Sequence, residues 1–206
     1  MIKCRRVCLG ILVVLVTVLF SGCDNLKDVE ATTISIGSKG AVTEVIVEST
    51  EGDSYTAEEL ETFVGEDVES FNKSAGSDHV KLKSCEIKEN VARIVMEYDS
   101  CADYAAYHGT ELFWGTVEEA RASGYNFETE FRDNNGESAA SSTILANNKD
   151  WQVVILEEPV NVQVAGDILY ASTNAEITAK REAKIAAKSG EDITITTDAP
   201  VYLVFN

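Results

Sequence analysis

An α+β architecture, an antiparallel sheet with two or three helices followed by a β-rich C-terminal meander, follows from three features of this chain. Apolar and polar residues alternate with strand period through residues 32–36, 42–48, 80–88 and 91–98. Helical spacing is confined to a few segments that carry their own capping residues. From Trp151 onward strand patterns dominate, punctuated by Pro159, Gly166, Asn174, Gly190 and Pro200, and no regular β-α-β alternation develops anywhere.

The first two strand-like runs flank Gly37-Ser38-Lys39-Gly40, which reads as a hairpin turn. Thr56 stands three residues before Glu59 as a capping box, and Leu60, Phe63, Val64, Val68 and Phe71 recur at helical spacing, predicting an amphipathic helix over 57–73. Lys73 and Gly76 mark its end. Residues 80–88 and 91–98 form a second hairpin whose turn falls at Glu89-Asn90, with Ile94, Met96 and Tyr98 facing the helix. Ser100 caps a short helix through Tyr107 that Gly109 stops, and Thr116 with Glu119 caps another that Gly124 closes. Residues 126–131 alternate, 133–142 read as a polar loop, and the last 55 or so residues as the meander.

Residues 7–20 are apolar and follow Lys3, Arg5 and Arg6, the order of an export signal. A spanning helix needs roughly 20 apolar residues, so this run is short for a permanent anchor. It ends in Leu19-Phe20-Ser21-Gly22-Cys23, which resembles the lipobox of bacterial lipoproteins, with Phe20 where that family usually has Leu. The resemblance implies a diacylglyceryl group on the Cys23 thiol, cleavage before Cys23, and a cell-membrane location on the extracytoplasmic face. Two acyl chains hold a protein stably where one does not. The expected organisation is a signal over 1–22, lipidated Cys23 and a polar tether over 23–30, and an α+β domain over 31–206, with a β-rich subdomain from about 151.

Loss of Lys3, Arg5 and Arg6 takes the formal charge from −18 to −21. Such a domain is repelled by nucleic acid and other polyanions, which leaves the membrane through its lipid, a protein, or a neutral glycan as partners. Cys85 and Cys101 remain after processing. They are candidates for a disulfide closing a loop of about 17 residues, worth about 3 kcal/mol, or for two free thiols packed as small hydrophobes. A turn at Glu89-Asn90 would set Cys85 opposite Ile94 and not opposite Cys101.

Chemical signatures are sparse. Ser70-Phe71-Asn72-Lys73 has the S-x-x-K spacing of penicillin-recognising enzymes without their other two elements, and its Ser70 and Lys73 fall on the solvent side of the helix. His79 and His108 are the only histidines, and they read as surface loop residues. With no H-E-x-x-H or paired C-x-x-C, neither a metal nor a cofactor is expected. Asp133-Asn134-Asn135-Gly136-Glu137 lacks the EF-hand spacing and reads as a solvated turn. Glu58, Glu59 and Glu61 suit a helix N-terminus. Phe113, Trp114 and Trp151 are the candidate binding aromatics, because an exposed ring stacks on sugars or anchors an interface.

Residues 94–127, IVMEYDSCADYAAYHGTELFWGTVEEARASGYNF, with the terminal TDAPVYLVFN, resemble a group of uncharacterised surface lipoproteins from anaerobic gut Firmicutes. That resemblance implies a signal, a tether and an α+β domain, and no catalytic residues. The expected function is non-catalytic binding or an envelope-structural role; the alternative is an envelope hydrolase whose paired Asp and Glu residues meet only in the fold.

Overall fold

The computed structural model describes residues 26, 28–52, 54–147, 149–185 and 199–206; Cys23 and the signal lie outside these. β1 (Thr33–Ile36) and β2 (Val42–Ser49) pair antiparallel, Ile36 opposite Val42, and Gly40 takes the turn's left-handed position at φ 79°. α1 (Ala57–Ala75) begins at the Thr56/Glu59 capping box and ends at Gly76, in the left-handed conformation that frees its N–H for Asn72 and Lys73 carbonyls. β3 (Val80–Lys88) and β4 (Val91–Tyr98) join through Glu89 and Asn90, both at positive φ as a primed hairpin turn requires. The register sets Cys85 opposite Ile94. α2 (Cys101–His108), capped by Ser100 and closed by Gly109, leads to β5 (Leu112–Thr116) and α3 (Val117–Ala122).

The following stretch departs from the sequence reading. Phe127 is fully buried at φ 56°, so residues 126–131 turn inward instead of running as a strand. The expected polar loop holds a small hairpin, β6 (Phe131–Asp133) and β7 (Ser138–Ala139), and then α4 (Ser141–Ala146), a helix with no side-chain cap to announce it. β8 (Gln152–Leu156), β9 (Asn161–Val164), β10 (Ile168–Ser172), β11 (Ala175–Ala179), β12 (Glu182–Ile185) and β13 (Val201–Phe205) complete the described residues.

The architecture is α+β with a β-rich C-terminal region, and its strands are shared between two sheets. Sheet A has the order β11-β12-β9-β1-β2-β4-β3, with β1 and β9 parallel and the other pairs antiparallel; sheet B has the order β5-β8-β13-β10-β6-β7. One core lies between the sheets, where Ile34, Ile36, Val162 and Val164 of sheet A meet Val154, Leu156, Leu203 and Phe205 of sheet B. α1 and α2 extend that core over the inner face of β3 and β4, burying Val68, Cys101 and Tyr104. A second core covers the opposite face of sheet B, where Val153, Ile155, Tyr202 and Val204 pack on Val117, Ala120, Phe127 and Ile144. Sheet B is thus covered on both faces, which explains the unbroken apolar run of β13.

Two expectations need correction. Phe63 does not join the apolar stripe of α1 and is 70% exposed. Nor is the segment before β1 a free tether: Leu26 is buried, and the Arg93 guanidinium reaches from β4 to the Val29 carbonyl at 2.7 Å. Among the described residues, no helix is long and apolar enough to cross a membrane.

Candidate functional site

The three candidate binding aromatics are all half-buried. Alternation along β5 sends Trp114 toward the inter-sheet core, against Gly40, and Phe113 to the second core, 5.1 Å from the Tyr125 ring. Trp114 buries its indole N–H with no acceptor among the described residues. Trp151 also joins the second core, 5.5 Å from Tyr170. These rings are packing elements, and they form no shared exposed platform. Cys85 and Cys101 are free thiols and not a disulfide: Cys101 is buried at the start of α2, Cys85 half-buried in mid β3. Burial pushes the Cys101 thiol up to about 12 and raises that of Cys85, aided there by Glu61.

Ser70 and Lys73 are exposed on α1. The Asp133 carboxylate accepts the Asn135 and Glu137 amides at 2.9 and 2.8 Å; these bonds hold it below its ordinary range and close the β6–β7 turn. Glu59 is the capping-box acid, its carboxyl lowered by the Thr56 amide and hydroxyl. His79 is half-exposed beside Asp103 at 3.1 Å. Among the described residues, no group of three or more His, Cys, Asp and Glu side chains is arranged to hold a metal ion.

His108 lies at the surface, at the end of α2 and not in a loop, but its side chain is 23% exposed and turned toward buried partners. On β2, Val42, Glu44 and Ile46 share one face by strand parity, so Glu44 points inward at 3% exposure. Its Oε2 accepts the Tyr98 hydroxyl at 2.7 Å and lies 3.0 Å from His108 Nε2, which is 2.8 Å from the Tyr98 oxygen. Tyr98 spends its only proton on Glu44, so the Nε2–H is shared between the Tyr98 oxygen and the carboxylate. One turn earlier on α2, the Tyr104 ring lies 4.4 Å from that of His108, tilted by 41°, and its hydroxyl donates to Glu158 in the β8–β9 connection at 2.7 Å. Burial works against a charged imidazole, but the hydrogen bond and charge of Glu44, with Glu158 behind, outweigh it and raise His108. Desolvation raises Glu158, against the Tyr104 hydroxyl and His108. His108 is the last residue of α2, where the helix dipole also favours a cation. An acid on an inward strand position was the sequence signal that marked this cluster.

The second feature is a groove of about 790 Å³ between α1 and the edge strand β3. Leu82 is its half-buried apolar side chain, above the core residues Val68 and Val80; Gly65 lowers one wall, and Glu69, Lys73, Asp78 and Lys81 carry charge of both signs around it. Asn72 anchors the helix to the strand, donating to the Val80 carbonyl at 2.8 Å and accepting its amide at 3.2 Å. β3 itself guards its open edge with Lys81, Lys83, Lys88 and a register shift between Leu82 and Ser84. A smaller hollow of about 150 Å³ opens beside Val29, lined by Asn161, Gln163 and Lys184 among others.

No protein-family model, curated protein or solved structure matches this chain.

Proposed function

We propose that the chain is a lipid-anchored extracytoplasmic binding protein, held at the cell membrane through Cys23, whose domain takes up a protein segment in the groove between α1 and β3 without catalysing a reaction. The observation that carries this reading is the groove, an open hollow at the edge of sheet A where Leu82 is framed by charged side chains of both signs. A protein segment fits better than a glycan, because the groove's lining offers no aromatic ring for a sugar to stack on. The guarded edge of β3 disfavours strand addition, so the segment docks through its side chains, apolar on Leu82 and charged toward Glu69 and Lys73. The acidic net charge argues against nucleic acid.

The test is chemical-shift mapping with a panel of peptides carrying one Leu or Phe flanked by Lys and Glu. Shifts are expected at Gly65, Val68 and Leu82. A Cβ on Gly65 meets nothing within 4 Å, so a side chain there starts into open space, and Gly65→Phe is expected to obstruct the groove and weaken binding at least tenfold, with an unchanged thermal melt as the check on folding. Peptide binding unchanged in Gly65→Phe contradicts the reading.

One observation favours the hydrolase alternative: Glu44 and Glu158 converge on a half-buried histidine. Each carboxylate, however, already accepts a tyrosine hydroxyl, which suits a structural network better than a proton-transfer pair. A loss of glycosidase activity in Glu158→Gln at unchanged stability would restore the enzyme.

A further inference from the structure

Resting on the reading of Cys23 as the lipid site, we infer that the outer face of sheet A, the face turned away from sheet B, is the surface the domain lays against the bilayer. Leu26 is buried and belongs to neither core, and Val29 is clamped by Arg93, a residue whose strand parity puts it on the outer face of β4. Thr32 reinforces the clamp by accepting the Val47 amide at 3.1 Å. Cys23 is three residues from Leu26, and three residues of fully extended chain reach about 11 Å. An acylated Cys23 therefore holds this entry point within about that distance of the headgroups, with no long tether through which the domain can roll.

Charge selects the same face. The domain as a whole is strongly acidic and is repelled by anionic lipid. On the outer face of sheet A the charges are matched across strands: Lys81 lies opposite Glu97, Glu86 opposite Arg93, and Glu176 opposite Lys184. α1 lies on the other side of the sheet, packed on its inner face, and its exposed surface carries Glu58, Glu59, Glu66, Asp67 and Glu69 against Lys73. The balanced face is thus the one that approaches a negative surface at least cost.

The test uses full-length protein reconstituted in liposomes of phosphatidylcholine and phosphatidylglycerol doped with a headgroup-spin-labelled lipid. A fluorophore is attached through Ser49→Cys, exposed on the outer face of β2, or through Ser70→Cys, exposed on α1, with the parent chain labelled in parallel to subtract signal from Cys85. Protein that floats with the liposomes and is quenched at least threefold more at position 49 than at 70 supports the inference, as does collapse of that ratio toward one when a 15-residue flexible linker is inserted after Cys23. Equal or inverted quenching in protein that floats overturns the orientation alone. Protein that does not float, or whose Cys23→Ser variant floats equally well, overturns the lipid anchor and the orientation with it.

Discussion

Removing the carboxylate of Glu44 tests whether the buried cluster holds the fold together or waits for a substrate. In Glu44→Ala, the Tyr98 hydroxyl and His108 each lose a bond to a charged acceptor, and such bonds contribute about 1.5–3 kcal/mol apiece. Part of this is recovered, because Tyr98 lies 2.8 Å from His108 Nε2 and can donate there once the imidazole is neutral. The groups facing the imidazole are Glu44 from β2, Tyr98 from β4, Tyr104 and Tyr107 from α2, and Glu158 from the β8–β9 connection; Asp67 of α1 is held by the Tyr107 hydroxyl. Since the folded-state pKa of His108 is raised above the unfolded value near 6.5, its stabilisation is fully present below about pH 6.5 and is lost as pH rises through the folded value. Without Glu44, burial is the chief influence left and pulls the other way. The variant should therefore lose about 3 kcal/mol at pH 5.5 and about 1 kcal/mol at pH 8.5. With a urea slope of about 2 kcal/mol/M, the unfolding midpoints fall by about 1.5 M and 0.5 M. A loss equal at both pH values, or larger at pH 8.5, refutes the pairing of His108 with Glu44.

Three further outcomes follow from the packing. Gly40→Ala is expected to cost more than Gly109→Ala, although both replace glycines at positive φ: a Cβ on Gly40 meets Trp114 at 2.9 Å and one on Gly109 meets nothing within 4 Å, so thermal melts should separate them by about 1 kcal/mol or more. Trp151→Ala should destabilise by about 3 kcal/mol or more without changing peptide affinity, while Phe63→Ser, at an exposed position, should shift the melting point little. Iodoacetamide at pH 8 should leave Cys101 unmodified in the native protein and alkylate both Cys85 and Cys101 in urea, while intact mass shows no gain on reduction with dithiothreitol.

The local structure was legible where a turn or cap carries its own chemistry. Thr56 with Glu59, Ser100 with Gly109, and Glu89-Asn90 each fix a backbone conformation through neighbours in sequence, and each stands where the pattern put it. Phe63 shows the limit of periodicity: it lies at the margin of the apolar arc of α1, and only the packing of α1 on β3 and α2 decides which side of that arc is covered. α4 escaped notice because Ala140 offers no capping side chain. The division of the C-terminal strands between two sheets depends on long-range pairing, β9 with β1 above all, and strand alternation alone does not specify a partner. The cluster around Glu44 assembles residues from β2, β4, α2 and a connection more than a hundred positions away, so no spacing rule points to it. Its one local trace was a glutamate on the apolar side of a strand.

The proposed function and the membrane-facing orientation both depend on Cys23, and intact mass spectrometry of detergent-extracted protein beside a Cys23→Ser variant tests that dependence most directly. The account predicts a native form that lacks residues 1–22 and carries diacylglyceryl mass absent from the variant. A native mass that retains the signal, or begins at Cys23 or beyond with no acyl addition, contradicts it.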